Sequence, residues 1–423
     1  MKLTNELFEF IQKSPSPYHA INEIKSALTA CGYVELSEAE TWNLTEGGKY
    51  FVIRGGSSLV SFRYKKRAGG FMICASHSDS PAFKLKMTPE SVGAYTRLQV
   101  EKYGGMIYYS WFDRPLSLAG RVVLKTDDGI EAKLVNIDRD LAVIPSVAIH
   151  MNRTVNDGCK FNPALDLLPL VGSADSSGSI MRAVSEVAGV AEDAIISHDL
   201  FLYNREAGKR IGVNGEYFLS PRIDNLECVF ASLKAYMKEE QSSAIPVLAV
   251  FDNEEVGSET KQGAASGFLY DTLFRIGGAE LQPMLKNSFM VSCDNAHAKH
   301  PNHPELADAD NAPIMNGGIV IKWNAGQKYT TDAISSAVFE TLCKRCGAKT
   351  QTFYTRADML SGSTLGSISN TKVSISTVDV GLPQLAMHSA SETAGTVDLS
   401  EMIKALTEFY NTAITVSGEK IKF

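Results

Sequence analysis

Short apolar runs alternate with amphipathic stretches along much of this chain. Four runs, at residues 71–75, 245–251, 289–293 and 373–377, are nearly continuous and apolar, which is typical of strands buried on both faces of a sheet. Residues 226–237 and 399–409 place their apolar side chains at helical spacing. The alternation predicts an α/β fold, with a central and mostly buried sheet flanked by helices.

The first thirty residues predict two helices. Apolar residues recur at helical spacing between positions 3 and 11, and the sequence SPSP at 14–17 interrupts the pattern. A second helix is expected from about residue 19 to residue 31, with Gly32 as its stop signal.

A middle block of the chain has a different hydrophobic pattern from the sequence on either side. Residues 121–135 predict a β-hairpin that turns at Asp128-Gly129, and the alternation of strand and helix is missing between about residues 91 and 216. We therefore expect a β-rich domain, 93–216, inserted into a domain made of 1–92 plus 217–423.

Composition limits the classes of function. The chain has 423 residues, 44% of them hydrophobic, and 41 Lys and Arg against 48 Asp and Glu give a net charge of −7. This mildly acidic balance, without a basic cluster, argues against nucleic acid as a partner. No signal-peptide pattern or membrane span is expected.

Cysteine usage predicts a cytoplasmic protein. The seven cysteines are scattered, and three of them lie inside apolar runs, which is typical of a reducing compartment. Cys343 and Cys346 form one CxxC without a second pair. We interpret these two as ordinary helix cysteines, with a structural zinc site as the alternative.

Candidate metal ligands follow the predicted buried strands. His77, Glu255 and Asp294 each come shortly after such a strand, Asp224 precedes an amphipathic helix, and His388 follows a Gly381/Pro383 turn. The carboxyl ends of parallel strands meet in one crevice, and imidazole and carboxylate are zinc ligands. The set suits two metal ions, His77 and Asp294 holding one, Glu255 and His388 the other, with Asp224 shared.

Two further acids have predicted roles beside the metal. Glu254 precedes Glu255, and neighbouring residues on an extended loop point in opposite directions, so Glu254 is free to act as a general base. Asp79, two residues after His77, is placed to accept the free imidazole N–H and fix the tautomer.

A second histidine cluster competes with this assignment. His297, His300 and His303 have helical spacing, but Pro301 and Pro304 disfavour a helix there. We expect these three histidines to be structural or to contact substrate.

The chain resembles the aspartyl aminopeptidase family of two-zinc exopeptidases over essentially its full length. Seven ordered motifs carry the resemblance: SPSPYH at 14–19, SHSDSP at 76–81, IPSVAIHMNR at 144–153, SPRIDNL at 220–226, DNEEVGS at 252–258, DNAHAKHPN at 294–302 and QLAMHS at 384–389.

The resemblance implies the same two zinc sites, with Co²⁺ or Mn²⁺ as possible substitutes, and Glu254 as the catalytic acid/base. It implies that the inserted domain is a dimerisation domain and that dimers form a homododecamer. It also implies that His150 enters the active site of a neighbouring subunit and helps to hold the substrate carbonyl.

The resemblance further implies a substrate-binding role for four residues: Lys322 as the partner of an acidic substrate side chain, and Arg356, Asp358 and Gly362 in the specificity loop. Lys322 read from the sequence alone would be a solvated cation at a strand end. The chain departs from several relatives at Ala357 and Ser361, and related peptidases prefer neutral residues.

The predicted function is a zinc aminopeptidase that removes an N-terminal residue, preferably Asp or Glu, from peptides. The alternatives are a preference for neutral residues, a two-metal deacylase or carboxypeptidase on the same scaffold, and a non-catalytic assembly protein. The complete ligand set together with Glu254 argues against the last of these.

Overall fold

Helices and strands alternate through most of the computed structural model, which describes residues 2–238 and 242–423. The α-helices of this part of the chain are α1 (Lys2–Lys13), α2 (Pro17–Ala30), α3 (Pro163–Asp166), α4 (Ser179–Ala188), α5 (Ile223–Tyr236), α6 (Phe268–Gly277), α7 (Leu281–Lys286), α8 (Ala333–Cys346), α9 (Leu365–Asn370) and α10 (Asp398–Tyr410). The strands are β1 (Val34–Leu36), β2 (Lys49–Arg54), β3 (Ser58–Arg63), β4 (Phe71–His77), β5 (Ala82–Val92), β6 (Tyr95–Tyr103), β7 (Leu116–Thr126), β8 (Gly129–Asn136), β9 (Leu170–Ser173), β10 (Ile195–Asn204), β11 (Lys209–Ile211), β12 (Tyr217–Ser220), β13 (Ile245–Phe251), β14 (Phe289–Cys293), β15 (Ala296–His297), β16 (Ile319–Trp323), β17 (Thr350–Tyr354), β18 (Ser376–Gly381), β19 (Pro383–Leu385), β20 (Glu392–Gly395), β21 (Thr415–Ser417) and β22 (Lys420–Lys422).

A nine-stranded sheet, in the order β1-β2-β3-β13-β4-β14-β18-β16-β17, forms the central layer of the α/β fold. Four neighbouring strands, β13, β4, β14 and β18, run parallel to one another. Their carboxyl ends therefore meet at one edge, which is where an open α/β sheet binds ligands.

Helices cover both faces of this sheet. Successive side chains of a strand point to opposite faces, so Cys74 packs with α1, α2, α5, α8 and α10 while Ile73 packs with α6, α7 and α9. Burial on both sides explains why β4, β13 and β14 are apolar over most of their length. The predicted α/β class is confirmed.

A second, six-stranded antiparallel sheet has the order β8-β7-β10-β5-β6-β9 and packs against α4. It contains the predicted hairpin, in which Thr126 pairs with Gly129. The sheet begins at Ala82, inside the range 1–92 that we expected to belong to the other domain, because Phe83 and Leu85 of β5 face its core. The division into domains remains a prediction, and Met1 and residues 239–241 of the expected ranges lie outside the described residues.

A small five-stranded sheet, β11-β12-β20-β19-β15, lies beside the parallel strand ends. Strand β12 leads into the residues before α5, and the turn between β19 and β20 contains residues 386–391. This sheet therefore carries two of the candidate ligands, Asp224 and His388, to the edge where β4, β13 and β14 end.

Two element boundaries differ from the predicted ones. The strand predicted at residues 373–377 is β18, which begins at Ser376. It begins later because the Val373 N–H still bonds to Ser369 O in the turn that ends α9. Helix α2 begins at Pro17, with Ser16 as its N-cap, since proline is favoured in the first turn of a helix.

Within residues 2–238 and 242–423, each helix is too short or too polar to cross a bilayer.

Candidate metal centre

One group of possible ligands forms around His77. His77 is the last residue of β4, Asp294 directly follows β14, and Asp224 lies at the start of α5. The His77 Nε2 atom is 3.4 Å from Asp224 Oδ1 and 3.4 Å from Asp294 Oδ1. All three side chains are buried.

A second group forms around His388 and shares Asp224 with the first. The His388 Nε2 atom is 3.4 Å from Asp224 Oδ2 and 3.4 Å from Glu255 Oε1. Each oxygen of Asp224 thus faces a different histidine. The structure brings together the five residues that the strand ends predicted, in the predicted two sets of three.

The spacing and the unsatisfied atoms fit metal ions. For bonds of about 2.0–2.2 Å at tetrahedral angles, neighbouring ligand atoms lie about 3.3–3.6 Å apart. Asp224 Oδ1 and Glu255 Oε1 are buried and accept no hydrogen bond from the described chain. Carboxylates gathered out of water need compensating positive charge, so the donor set suits a pair of cations.

The two adjacent glutamates lie on a 3₁₀ helix, Glu254–Val256, which follows Asn253 in the left-handed region at φ 64°. The expectation of an extended loop was wrong, because the chain turns sharply here. Side chains one residue apart on a 3₁₀ helix still diverge by about 120°. Glu255 therefore joins the second ligand group, whereas Glu254 belongs to neither group.

Asp79 connects this turn to the candidate ligand His77. Its Oδ1 and Oδ2 atoms accept the backbone N–H groups of Glu254 and Glu255, each at 3.1 Å. The His77 Nδ1 atom is 3.1 Å from the Asp79 backbone oxygen and 3.3 Å from its Oδ1. The predicted contact between Asp79 and the imidazole is present, and the contacts to the glutamate turn are additional.

Glu254 is the free acid beside the candidate ligands. Removal from water raises the pKa of its carboxyl to about 8; the nearby His77 opposes this rise, and the carboxylates of Asp294, Asp79 and Asp224 add to it. A carboxyl that titrates near neutral pH can both take up and release a proton during a reaction.

Lys322 lies in β16 and is buried rather than solvated. Only 2% of it is exposed, so the interpretation as a solvated strand-end cation was wrong. Its Nζ atom is 3.4 Å from Asp294 Oδ2 and 5.5 Å from the centre of the Tyr329 ring. The Asp294 carboxylate raises the pKa of Lys322 although burial opposes this, so the side chain is a charged neighbour of the first ligand group.

The predicted specificity loop borders an open cavity of about 280 Å³. Arg356 and Gly362 line it together with Phe353 and Leu360. Arg356 forms an ion pair with Asp358 (Nε to Oδ1, 2.9 Å), and both side chains are exposed. The guanidinium charge at the rim of this cavity is therefore already matched by a carboxylate.

The three histidines of the competing cluster line the same cavity. None of them belongs to a ligand group within the described chain. The protein around His297 withdraws it from bulk water, which lowers its pKa, and the charge of Lys322 acts in the same direction. His150 is exposed and lies in a turn between β8 and β9.

Two residues beside the site were missed in the sequence. The Tyr103 hydroxyl, at the end of β6, donates to Asp79 Oδ2 at 2.7 Å and accepts from Asn253. Glu392, at the start of β20, accepts the backbone N–H groups of Asp224 and His388. The His388-x-x-x-Glu392 spacing was the one available signal for Glu392, whereas nothing near Tyr103 in the sequence pointed to the site.

Comparison with known proteins gives consistent matches over nearly the whole chain. The family model described as "Aminopeptidase I zinc metalloprotease (M18)" matches residues 10–410. A Clostridium acetobutylicum protein named "Probable M18 family aminopeptidase 2" is 45% identical over 428 residues, covering 97% of this chain and 99% of that protein. A protein of the same name from Pseudomonas paraeruginosa is 37% identical over 421 residues, covering 97% and 98%.

Solved structures agree with these matches. The cryo-EM structure of the Ape4 and Nbr1 complex has a TM-score of 0.93 at 32% identity, covering 97% of this chain and 85% of that chain. The structure of the S. cerevisiae mApe1 dodecamer has a TM-score of 0.85 at 29% identity, covering 96% and 95%.

Proposed function

This chain belongs to the M18 family and is a zinc metallo-aminopeptidase, and from that premise we propose that it uses two zinc ions to remove N-terminal Asp or Glu from peptides. The observation that carries the two-ion proposal is the sharing of Asp224. One of its oxygens faces His77 and the other faces His388, each at 3.4 Å.

In this proposal His77, Asp224 and Asp294 hold one ion, and Asp224, Glu255 and His388 hold the other. A bound zinc pair supplies positive charge that lowers the pKa of water and polarises a carbonyl group. Co²⁺ and Mn²⁺ are possible substitutes. Asp79 keeps the His77 ring and the Glu254–Glu255 turn in a fixed relation through its hydrogen bonds.

Glu254 is the proton carrier in this proposal. It takes a proton from the water that attacks the scissile carbonyl and passes that proton to the leaving amine. Its position supports this role, because it lies beside the ligand set while its carboxylate belongs to neither ligand group.

Two cations support a preference for acidic side chains. Lys322 lies next to Asp294, and Arg356 lines the cavity together with Gly362 and pairs with Asp358. One observation favours the alternative of a neutral preference, because each cation already has a carboxylate partner.

We extend the proposal to self-association through the inserted domain, up to a homododecamer, with His150 entering the site of a neighbouring subunit. Exposed apolar side chains surround His150 in sequence: Val147 is 58% exposed and Met151 is 82% exposed. Apolar side chains concentrated on a surface are typical of an interface. Cysteines that are all free support a reducing compartment, the cytoplasm.

A substrate panel tests the function. Chromogenic amides of Asp, Glu, Leu and Ala are assayed with zinc-loaded and chelated protein, alongside amine-blocked and free-carboxylate peptides. We expect turnover of free-amine substrates only, with Asp and Glu fastest and loss of activity after chelation. Faster Leu turnover would support the neutral alternative, and cleavage of blocked or carboxyl-terminal substrates would support the deacylase or carboxypeptidase alternative.

A further inference from the structure

Glu392 is a buried acid that contacts two candidate metal ligands without being one. It begins β20, only 2% of it is exposed, and it belongs to neither ligand group in the described residues. Its Oε2 atom accepts the Asp224 backbone N–H at 3.1 Å. Its Oε1 atom accepts the His388 backbone N–H at 2.8 Å and a bond from Gln384 Nε2 at 3.1 Å.

The β12–β20 ladder ends at the pair Ser220–Glu392, and the β19–β20 ladder ends at Leu385–Thr393, so neither Asp224 nor His388 is itself held by a ladder. Asp224 comes 168 residues before Glu392 and has non-helical backbone angles inside α5. His388 lies in a turn with its φ at 68°, in the left-handed region that non-glycine residues rarely adopt. A buried backbone N–H at such positions needs an acceptor, and one carboxylate supplies it for both residues.

The first ligand group is placed by other means. His77 is the last residue of β4, and Asp294 directly follows β14, whose ladder with β4 sets their separation. Loss of the Glu392 bonds would thus leave His77 and Asp294 in place. It would release His388, which only the second group requires. The shared Asp224 would lose one backbone bond, but its backbone oxygen still accepts from Ser80 Oγ at 2.7 Å.

We propose that Glu392 is a positioning residue for the second metal ion, the one held by Asp224, Glu255 and His388. This inference rests on the proposed two-ion centre. A glutamine in its place keeps the size of the side chain but directs an NH₂ group at one of the backbone N–H groups, so one of the two bonds is lost.

The test is zinc binding by Glu392→Gln. Glu227→Gln is the matched control, since Glu227 is also fully buried and accepts a bond from Asn295 rather than from a ligand residue. Zinc stoichiometry after dialysis, and zinc affinity in competition with a chelator, are measured for both variants and the unaltered protein. Thermal unfolding and oligomer size are recorded alongside.

We expect Glu392→Gln to bind one of its two ions about 10–100-fold more weakly and to keep the other within about twofold. Glu227→Gln should keep both. Equal weakening of both ions, unchanged binding of both, or the same loss in the control would overturn the proposal. If Glu392→Gln does not fold, Glu392→Asp is judged by the same criteria, because its shorter side chain cannot span both N–H groups.

The experiment separates this inference from the two-ion proposal. If the unaltered protein saturates with one zinc ion, the two-ion proposal fails. Glu392 is then judged by whether Glu392→Gln weakens that single ion relative to Glu227→Gln, and unchanged binding would overturn its positioning role.

Discussion

The Asp79 carboxylate accepts the backbone N–H of Glu254 at 3.1 Å, across 175 positions of sequence. Asp79 comes two residues after the candidate ligand His77, and Glu254 comes one before the candidate ligand Glu255. The bond therefore connects Glu254 to the candidate ligand set through its backbone and leaves its side chain free for the proton transfer proposed above.

Replacing Glu254 by Gln should abolish proton transfer while leaving the ligands intact. We expect kcat to fall by about 10²–10⁴-fold, the usual contribution of a general acid–base group, with zinc content unchanged. Glu259→Gln is the control, because Glu259 is an exposed acid in the same segment. A variant at position 254 that keeps its turnover would remove Glu254 from the mechanism.

Replacing Asp79 by Asn should disturb the ligand and the acid together. Its NH₂ group would face one of the two backbone N–H groups, at Glu254 or Glu255. We expect zinc affinity and kcat each to fall about 10–100-fold. Tyr103→Phe removes the bond to Asp79 Oδ2 and the bond from Asn253 Nδ2 but leaves both backbone N–H bonds of Asp79 in place, so it should have a smaller effect in the same direction. A larger loss in the Tyr103 variant than in the Asp79 variant would contradict this expectation.

Replacing Lys322 by Ala should reduce discrimination between substrates. A hydrogen bond to a charged group contributes about 1.5–3 kcal/mol, so the ratio of kcat/KM for Asp and Leu substrates should fall roughly 10–150-fold. Because Lys322 also contacts Asp294, zinc content is measured in parallel, with the exposed Lys328→Ala as control. Equal losses on both substrates would exclude pairing of Lys322 with the substrate charge.

Mixing two inactive variants tests whether subunits share their sites. His150→Phe should lose turnover and keep zinc, and so should Glu254→Gln. If His150 acts in a neighbouring subunit, co-expression of the two variants should restore part of the activity, since some sites then combine an intact Glu254 with an intact His150. Mixtures as inactive as their components would place both residues in the same subunit's site.

Glu227→Gln should change how stability depends on pH. Burial raises the pKa of the Glu227 carboxyl from 4.5 to about 8. The folded state therefore holds a proton that the unfolded state releases, and stability falls as pH rises between these values, by at most about 1.4 kcal/mol per pH unit. Glutamine does not titrate, so the variant should gain stability relative to the unaltered protein from pH 5 to pH 8. Denaturant unfolding at several pH values measures this, and a constant difference would contradict it.

The sequence alone was sufficient for the α/β class, for three of the four buried strands and for the five candidate ligands. Apolar runs and helical periodicity are local properties, readable within about ten residues. Because the carboxyl ends of parallel strands lie at one edge of a sheet, polar residues that follow such runs are expected to meet at that edge. This is why His77, Glu255 and Asp294 could be grouped although long stretches of chain separate them.

The tertiary structure decided the contacts between distant segments, because a local sequence pattern carries no information about them. The packing of distant segments decides which oxygen of Asp224 faces which histidine, and it buries Lys322 against Asp294. The 3₁₀ turn at Glu254 and the two bonds of Glu392 depend on the same packing. A buried polar group takes whichever partner the fold brings to it, because it has lost water as an alternative. The sequence therefore determined the kinds of ligand present, and the packing determined how each one is oriented, charged and held.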